Sequence, residues 1–383
     1  MSNTLRDRAW VEVDLDAVRE NYRTIRRAVG QQPGILAMVK ANGYGLGAER
    51  VVRALEPLQP WGFGVATAEE GASLRRAGVE RPILVVSPLS REALAVAAAA
   101  RLTVSVSDLE ALEEWAKQAR RQGVTLDFHV EVDTGMGRAG FDWRKAAEWG
   151  DAVRSRAGGA VRWTGIYTHF QGADAADRGP TALQWERFRD ALVQLPVSRE
   201  DLLVHAANSA AALRWPEYAA DLVRPGIFLY GGHPAPGLPA GELPAPRAVA
   251  ALRARLVLAR DVPPGSTVGY GATHAARGWE RWGTVAVGYG DGLPRSLGNR
   301  GAALVCGRRV PIIGRISMDM TVVDLTGVPE ASVGDVVTLI GRDGGQEITV
   351  DEVAAQAGTI GYEILTGLTA RLPRVETGDG VQG

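Results

Sequence analysis

Lys40 closes an apolar run, Gly34-Ile-Leu-Ala-Met-Val-Lys40, in a chain of 383 residues whose 43 basic residues include only three lysines. The other two, Lys117 and Lys145, sit in polar helical text. Nearly every positive charge is an arginine, and a guanidinium stays protonated where an amine can lose its proton. A lysine that loses its proton can attack a carbonyl and form a Schiff base. Lys40 therefore reads as a residue kept for chemistry. Tyr44 follows it in Gly43-Tyr-Gly-Leu-Gly47, a glycine-rich stretch whose spacing fits neither a P-loop nor a dinucleotide fingerprint.

Those residues need a scaffold. After an opening strand at 10–13 and a helix at 14–29, short apolar runs read as strands at 35–40, 63–67, 83–87, 102–106, 128–133, 164–170, 202–208 and 222–225. Amphipathic helical text fills the gaps, and such alternation predicts parallel strands with crossover helices. Eight units close an α/β barrel of the TIM (β/α)8 type; a doubly wound open sheet is the alternative. The run from His233 to Pro246 is a Pro/Gly-rich linker. Beyond it strands dominate, at 251–259, 281–287, 302–313, 320–324 and 336–340, which predicts a C-terminal all-β domain. The division expected is a barrel over 10–240 and a β-domain over 241–376. Residues 1–13 are free to pair with the second, and the tail from Glu376 is expected to fray.

TIM-type barrels place their sites where strands end. The first strand ends in Lys40 with Tyr44 beyond it. The fifth ends in Glu131-Val-Asp133, followed by Thr-Gly-Met-Gly-Arg138. The sixth leads to His169, the seventh carries His205 and ends at Asn208-Ser209, and the eighth leads into Arg224-Pro-Gly226-Ile227. Backbone N–H groups at Gly226 and Ile227, with Ser209 and Tyr44 hydroxyls, suit a phosphate. A lysine, a phosphate cradle and an arginine on one rim describe a pyridoxal-phosphate site. The five histidines lack metal-ligand spacing, so no metal is expected.

Net charge is −1, with arginine interspersed among acidic residues, which argues against a nucleic-acid partner. No apolar run reaches the roughly 20 residues of a membrane span, and the start lacks a signal-peptide core. A single cysteine, Cys306, in strand text, suits a reducing cytoplasm.

With these residues in hand the chain resembles the alanine racemases, fold-type III pyridoxal-phosphate enzymes. The resemblance runs from Ala37-Met-Val-Lys-Ala-Asn-Gly-Tyr-Gly45 through Val132-Asp-Thr-Gly-Met-Gly-Arg-Ala-Gly140, Tyr167-Thr-His-Phe170 and His205-Ala-Ala-Asn-Ser-Ala-Ala211. It continues over Arg224–Gly231, Val268-Gly-Tyr-Gly-Ala-Thr273, Val287-Gly-Tyr-Gly-Asp-Gly292, Gly314-Arg-Ile-Ser-Met-Asp-Met320 and Thr359-Ile-Gly-Tyr-Glu-Ile-Leu365. It implies a homodimer that interconverts L- and D-alanine, supplying D-alanine for peptidoglycan. It implies that Lys40 carries the cofactor as an aldimine and that Tyr44, Ser209, Gly226, Ile227 and Tyr362 hold its phosphate. Arg224 would face the pyridine nitrogen with His169 beside it, and Arg138 would lie by the substrate carboxylate. Tyr270 would be the second base and Met318 a substrate contact, both from the partner subunit; Tyr289, Arg295 and Asp319 would line the entrance. Many relatives carry a carbamylated lysine where this chain has Glu131, which reads as a direct anchor for Arg138. A serine racemase shares these motifs. A decarboxylase of the same fold should have a cysteine-based site in the β-domain. A cofactor carrier would not need Tyr270, and a class I aldolase has no use for the phosphate cradle with Arg224.

Overall fold

The computed structural model describes residues 6–239 and 241–378. Eight strands, Gly34–Met38, Gly62–Val65, Ile83–Val85, Thr103–Val106, Leu126–Asp133, Val161–Tyr167, Leu203–Asn208 and Leu222–Arg224, pair in sequence order, all parallel. The eighth returns to the first through Leu222↔Gly34 and Val223↔Ile35, so the barrel is closed. Strands buried on both faces need continuous apolar text, and Ile83-Leu-Val85 is wholly buried. The helices carry their own start and stop signals. Leu15–Val29 is capped by the Asp14 carboxylate, which accepts from Ala17 N at 2.8 Å, and it ends with Arg26 and Arg27 in its last turn. Its buried stripe of Val18, Tyr22, Ile25 and Val29 follows the helical repeat.

The β-domain is a second closed barrel, of six antiparallel strands. Ala250–Val262 pairs with Glu280–Val285, then come Thr321–Asp324, Arg308–Ile313, Ala302–Val305 and Val336–Asp343, which returns to Ala250–Val262. The opening strand Ala9–Asp14 lies antiparallel to Ala250–Val262, and Arg374–Thr377 lies parallel beside it. The first and last strands of the described residues therefore pair beside this domain.

Three sequence readings are corrected here. The run 302–313 is a hairpin, because Cys306 and Gly307 take φ of 52° and 73° and turn the chain. Cys306 thus sits exposed on a turn rather than within a strand. The tail does not fray at Glu376, since Arg374–Thr377 is a paired strand and Glu376 bonds Arg53 at 2.7 Å; residues 379–383 lie outside the described residues. Two helices, Val350–Ala357 and Gly361–Gly367, interrupt the β text, and the second carries Tyr362.

Candidate active site

Lys40 stands two residues past the first barrel strand, at the start of a left-handed turn. Ala41, Asn42, Gly43 and Tyr44 have φ of 52°, 53°, 62° and 52°. Such a run costs an L-residue roughly 1–2 kcal/mol per position, so something must hold it. Backbone bonds from Gly43 N to Val39 O and from Gly45 N to Ala41 O, each 2.8 Å, close it. Asn42 Oδ1 accepts from Ala48 N at 3.0 Å, and Glu70 accepts from Ala41 N at 2.6 Å. Burial, with the charges of Arg138 and Arg224, draws the Lys40 amine below the usual lysine range, against the opposing field of Glu70.

The turn brings Tyr44 back into the barrel mouth. Its ring stacks on Tyr230 at 4.4 Å, and Tyr230 donates to Met38 O at 2.8 Å. Tyr362 leans on Tyr44 from the helix Gly361–Gly367, 6.1 Å between centroids. Burial raises the phenol of Tyr44 above its ordinary value and pushes Tyr362 up to about 12, so both remain hydroxyl donors near neutral pH. Ser209 Oγ accepts from Gly226 N at 2.8 Å. A Cβ at Gly226 would come within 2.1 Å of the Tyr44 hydroxyl, so the backbone approaches the cavity where no side chain fits.

Arg224 ends the eighth strand and is buried. One of its terminal nitrogens bonds His205 Nδ1 at 2.8 Å. The other reaches His169 Nδ1 at 3.2 Å, Thr168 O at 2.8 Å and Ala206 O at 3.0 Å. A guanidinium only donates, so both imidazoles accept at Nδ1 and carry their proton on Nε2. His205 Nε2–H then donates to His129 Nδ1 at 2.9 Å. Burial and the Arg224 charge hold His129 and His169 at about 3, so these rings are neutral. Arg224 itself falls only to about 10, chiefly through burial, and stays charged near neutral pH.

Arg224 also lies over the Tyr167 ring, 5.0 Å from its centroid. Tyr167 donates to Glu131 Oε2 at 3.1 Å and pairs with Ser105 Oγ at 2.7 Å. Burial raises the Glu131 carboxyl, while Tyr167, Arg224 and Arg138 oppose that rise. The direct partner of Glu131 is thus Tyr167. Among the described residues no ion pair joins Glu131 to Arg138.

One cavity of about 120 Å³ is lined by Lys40, Tyr44, Glu131, Arg138, His169, Ser209, Arg224, Gly226, Ile227 and Tyr362. Four larger cavities, of about 600, 670, 300 and 400 Å³, have no lysine in their walls. Met38, Val86, Tyr167 and Asn208 complete the lining; Asn208 was placed at a strand end from sequence, and the other three were missed. Strand parity was the signal for Tyr167, since it shares the parity of His169 as Glu131 shares that of His129. Tyr270, Met318, Tyr289, Arg295 and Asp319 do not join this cavity; they stand on β-domain loops. Tyr270 lies between Gly269 and Gly271, at φ of 71° and 75°, and Asp319 bonds Arg371 at 2.7 Å.

The family model for the alanine racemase N-terminal domain matches residues 13–234, and that for the C-terminal domain matches residues 249–376. The chain belongs to the alanine racemase family. Alanine racemase 2 of Bacillus subtilis is 40% identical over 97% of this chain and 95% of its own length. The structure of alanine racemase from Streptomyces lavendulae superposes with a TM-score of 0.90, at 38% identity and 97% coverage of each chain. That from Bartonella henselae, described with covalently bound pyridoxal phosphate, gives 0.86 at 30% identity, over 97% of this chain and 100% of that one. Alanine racemase relatives at this identity over nearly the full length make the chain an enzyme of the isomerase class. The fold is the one the family shares: a closed parallel barrel followed by an all-β domain.

Proposed function

We propose that the enzyme racemises alanine with pyridoxal phosphate held in the Lys40 cavity and with Lys40 and a partner subunit's Tyr270 as its two bases. The observation that carries this reading is the meeting of Lys40, Arg224 and the Tyr44–Ser209–Gly226 cradle in one cavity. The residues fit the cofactor. Two protonated phenols, a serine hydroxyl and a close backbone approach suit its phosphate, and Ile227 N–H adds a donor. The cofactor, when bound, supplies the electron sink that acidifies the α-carbon of a bound amino acid.

The protein's part is proton handling and orientation. Lys40, drawn toward the neutral amine, takes or returns the α-proton on one face. Arg224 presents only N–H donors, so it can bond a ring nitrogen but not protonate it, which restrains side reactions. His169 keeps its Nε2–H for the cavity while Nδ1 is tied to Arg224. Arg138 offers a bidentate partner to a substrate carboxylate. Glu131 places its charge near Arg138 and Arg224 while bonded to Tyr167, so no carbamylated lysine is needed.

The second face calls for a second base. Tyr270 is 67% exposed and absent from its own barrel's cavity, which supports its service to a neighbour. A two-fold dimer makes both sites composite, with the partner's Met318 against the substrate and Tyr289, Arg295 and Asp319 at the entrance. The division at 240/241, with the opening strand joining the β-domain, belongs to the same reading and is supported by the Ala9–Asp14 pairing. The role is supply of D-alanine for peptidoglycan, in the cytoplasm. Borohydride treatment of the yellow holoenzyme should abolish its visible band and fix cofactor mass to the peptide bearing Lys40. Label on Lys117 or Lys145 would refute the assignment.

A further inference from the structure

Glu70 belongs to none of the site motifs. It is the third residue of the helix Ala68–Arg76, and with Thr67 it forms a capping box. A capping box occupies one carboxylate oxygen at the helix start. Here Oε2 accepts from Ala66 N at 2.9 Å and from Thr67 N at 3.4 Å. Oε1 is committed elsewhere, to Ala41 N at 2.6 Å, the first left-handed residue after Lys40. One carboxylate thereby ties the loop after the second barrel strand to the loop after the first.

Two physical consequences follow. Non-glycine residues leave the left-handed region readily unless anchored. A charge-assisted bond is roughly twice as strong as a neutral one, and this one grips the peptide that adjoins Lys40. The second consequence is electrostatic. Arg138 from the fifth-strand loop and Arg224 from the eighth strand line the same cavity as Lys40 and lower its amine, and Glu70 opposes them from the second-strand loop. The neutral His169, the phenols of Tyr44, Tyr167 and Tyr362 and the buried Glu131 complete the titratable groups around that cavity.

We infer that Glu70 is a positioning residue for Lys40: it holds the left-handed turn that aims the lysine, and its charge offsets the two cavity arginines. The inference rests on Lys40 being the reactive amine.

The test uses Glu70→Gln, which keeps size and one acceptor but no charge, and Glu70→Asp, which keeps charge but loses reach. In cofactor-free protein, competitive acetylation mapped by mass spectrometry titrates each lysine separately. In Glu70→Gln the Lys40 midpoint should fall to lower pH while Lys117 and Lys145 stay put. Amide exchange over 41–45 should quicken in both variants. In holoenzyme, kcat should drop roughly tenfold or more, with KM for alanine little changed. Glu70→Asp should leave the Lys40 midpoint near wild type while exchange and kcat suffer; it serves alone should Glu70→Gln not fold. An unmoved Lys40 midpoint with wild-type kcat in Glu70→Gln overturns the inference, even if exchange changes, because Glu70 would then be structural only. In Glu70→Asp, wild-type exchange and kcat together overturn it. Borohydride label found away from Lys40 would instead overturn the reading beneath it, and the two cofactor-free measurements distinguish these failures.

Discussion

The barrel gathers its polar side chains around one cavity at its mouth, whereas the β-domain carries Tyr270, Tyr289 and Met318 on its surface, at 67%, 40% and 52% exposure. In the barrel, Arg224 has four partners and Tyr167 bonds both Ser105 and Glu131. In the β-domain Tyr270 and Tyr289 each stand between two glycines, and large apolar side chains meet water. Buried polar groups are costly unless paired, so the barrel must complete its own network. Exposed aromatic and methionine side chains gathered from separate motifs signal a surface made for contact. On the proposed reading, the difference means that one half of the site is finished within a chain and the other half is presented to a second copy.

The sharpest way to break that contrast is to mix two dead enzymes. Lys40→Ala and Tyr270→Ala homodimers should each be inactive. Refolded together they should recover about a quarter of wild-type activity, since half the dimers pair and each holds one intact site. Zero recovery with heterodimers confirmed by mass would mean that Tyr270 serves its own subunit. Within the barrel the next largest effect, after loss of Lys40, should come from Arg224→Glu, which puts a second acidic group beside Tyr167 and Glu131. Racemisation should fall on the order of a hundredfold, and transamination product should rise against turnover. Unchanged activity and product ratio would remove Arg224 from the ring nitrogen.

Glu131→Gln should act more gently, because its direct bond is to Tyr167 and its reach to Arg138 is through space. KM for alanine should rise several-fold, on the order of 1 kcal/mol, and stripping bicarbonate should leave the wild-type rate unchanged. A strong bicarbonate dependence would contradict Glu131 as a built-in charge. The last effect is on stability rather than on activity. His129 and His169 sit at about 3 when folded, below the ordinary imidazole value of about 6.5. The unfolded chain therefore takes up protons first as pH falls. Their contribution is fully present above about 6.5 and is lost progressively toward about 3. Melting temperature should drop between pH 7.5 and 5, and His129→Gln should flatten that slope; an equal slope would show that the ring is already charged.

Much of the barrel was legible because parallel strands and crossover helices repeat a local pattern. The eight strands fall within a few residues of the apolar runs, and Asp14 and Thr67 mark helix starts as sequence rules say. Lys40, Tyr44, His169, Ser209 and Arg224 were legible because each stands at or just beyond a strand end, and strand ends meet. The β-domain was harder. The 302–313 run hid a turn, because its left-handed corner falls on Cys306, which has no turn preference. Tyr167 and Glu70 were missed for a different reason: one looked like core and the other like a helix cap.

The sequence by itself determined the family, the barrel-plus-β architecture and which residue types could carry racemisation, because these rest on composition, short-range periodicity and long motifs. Only the tertiary structure decided which side chains touch. It turned Glu131 toward Tyr167 and set the tautomers of His205 and His169 through Arg224. It also bent Glu70 across to Ala41, and it left Tyr270 outside its own barrel's cavity. Hydrogen bonds reach about 3 Å and join residues distant in the chain, so their partners follow from barrel closure and side-chain direction rather than from any local pattern.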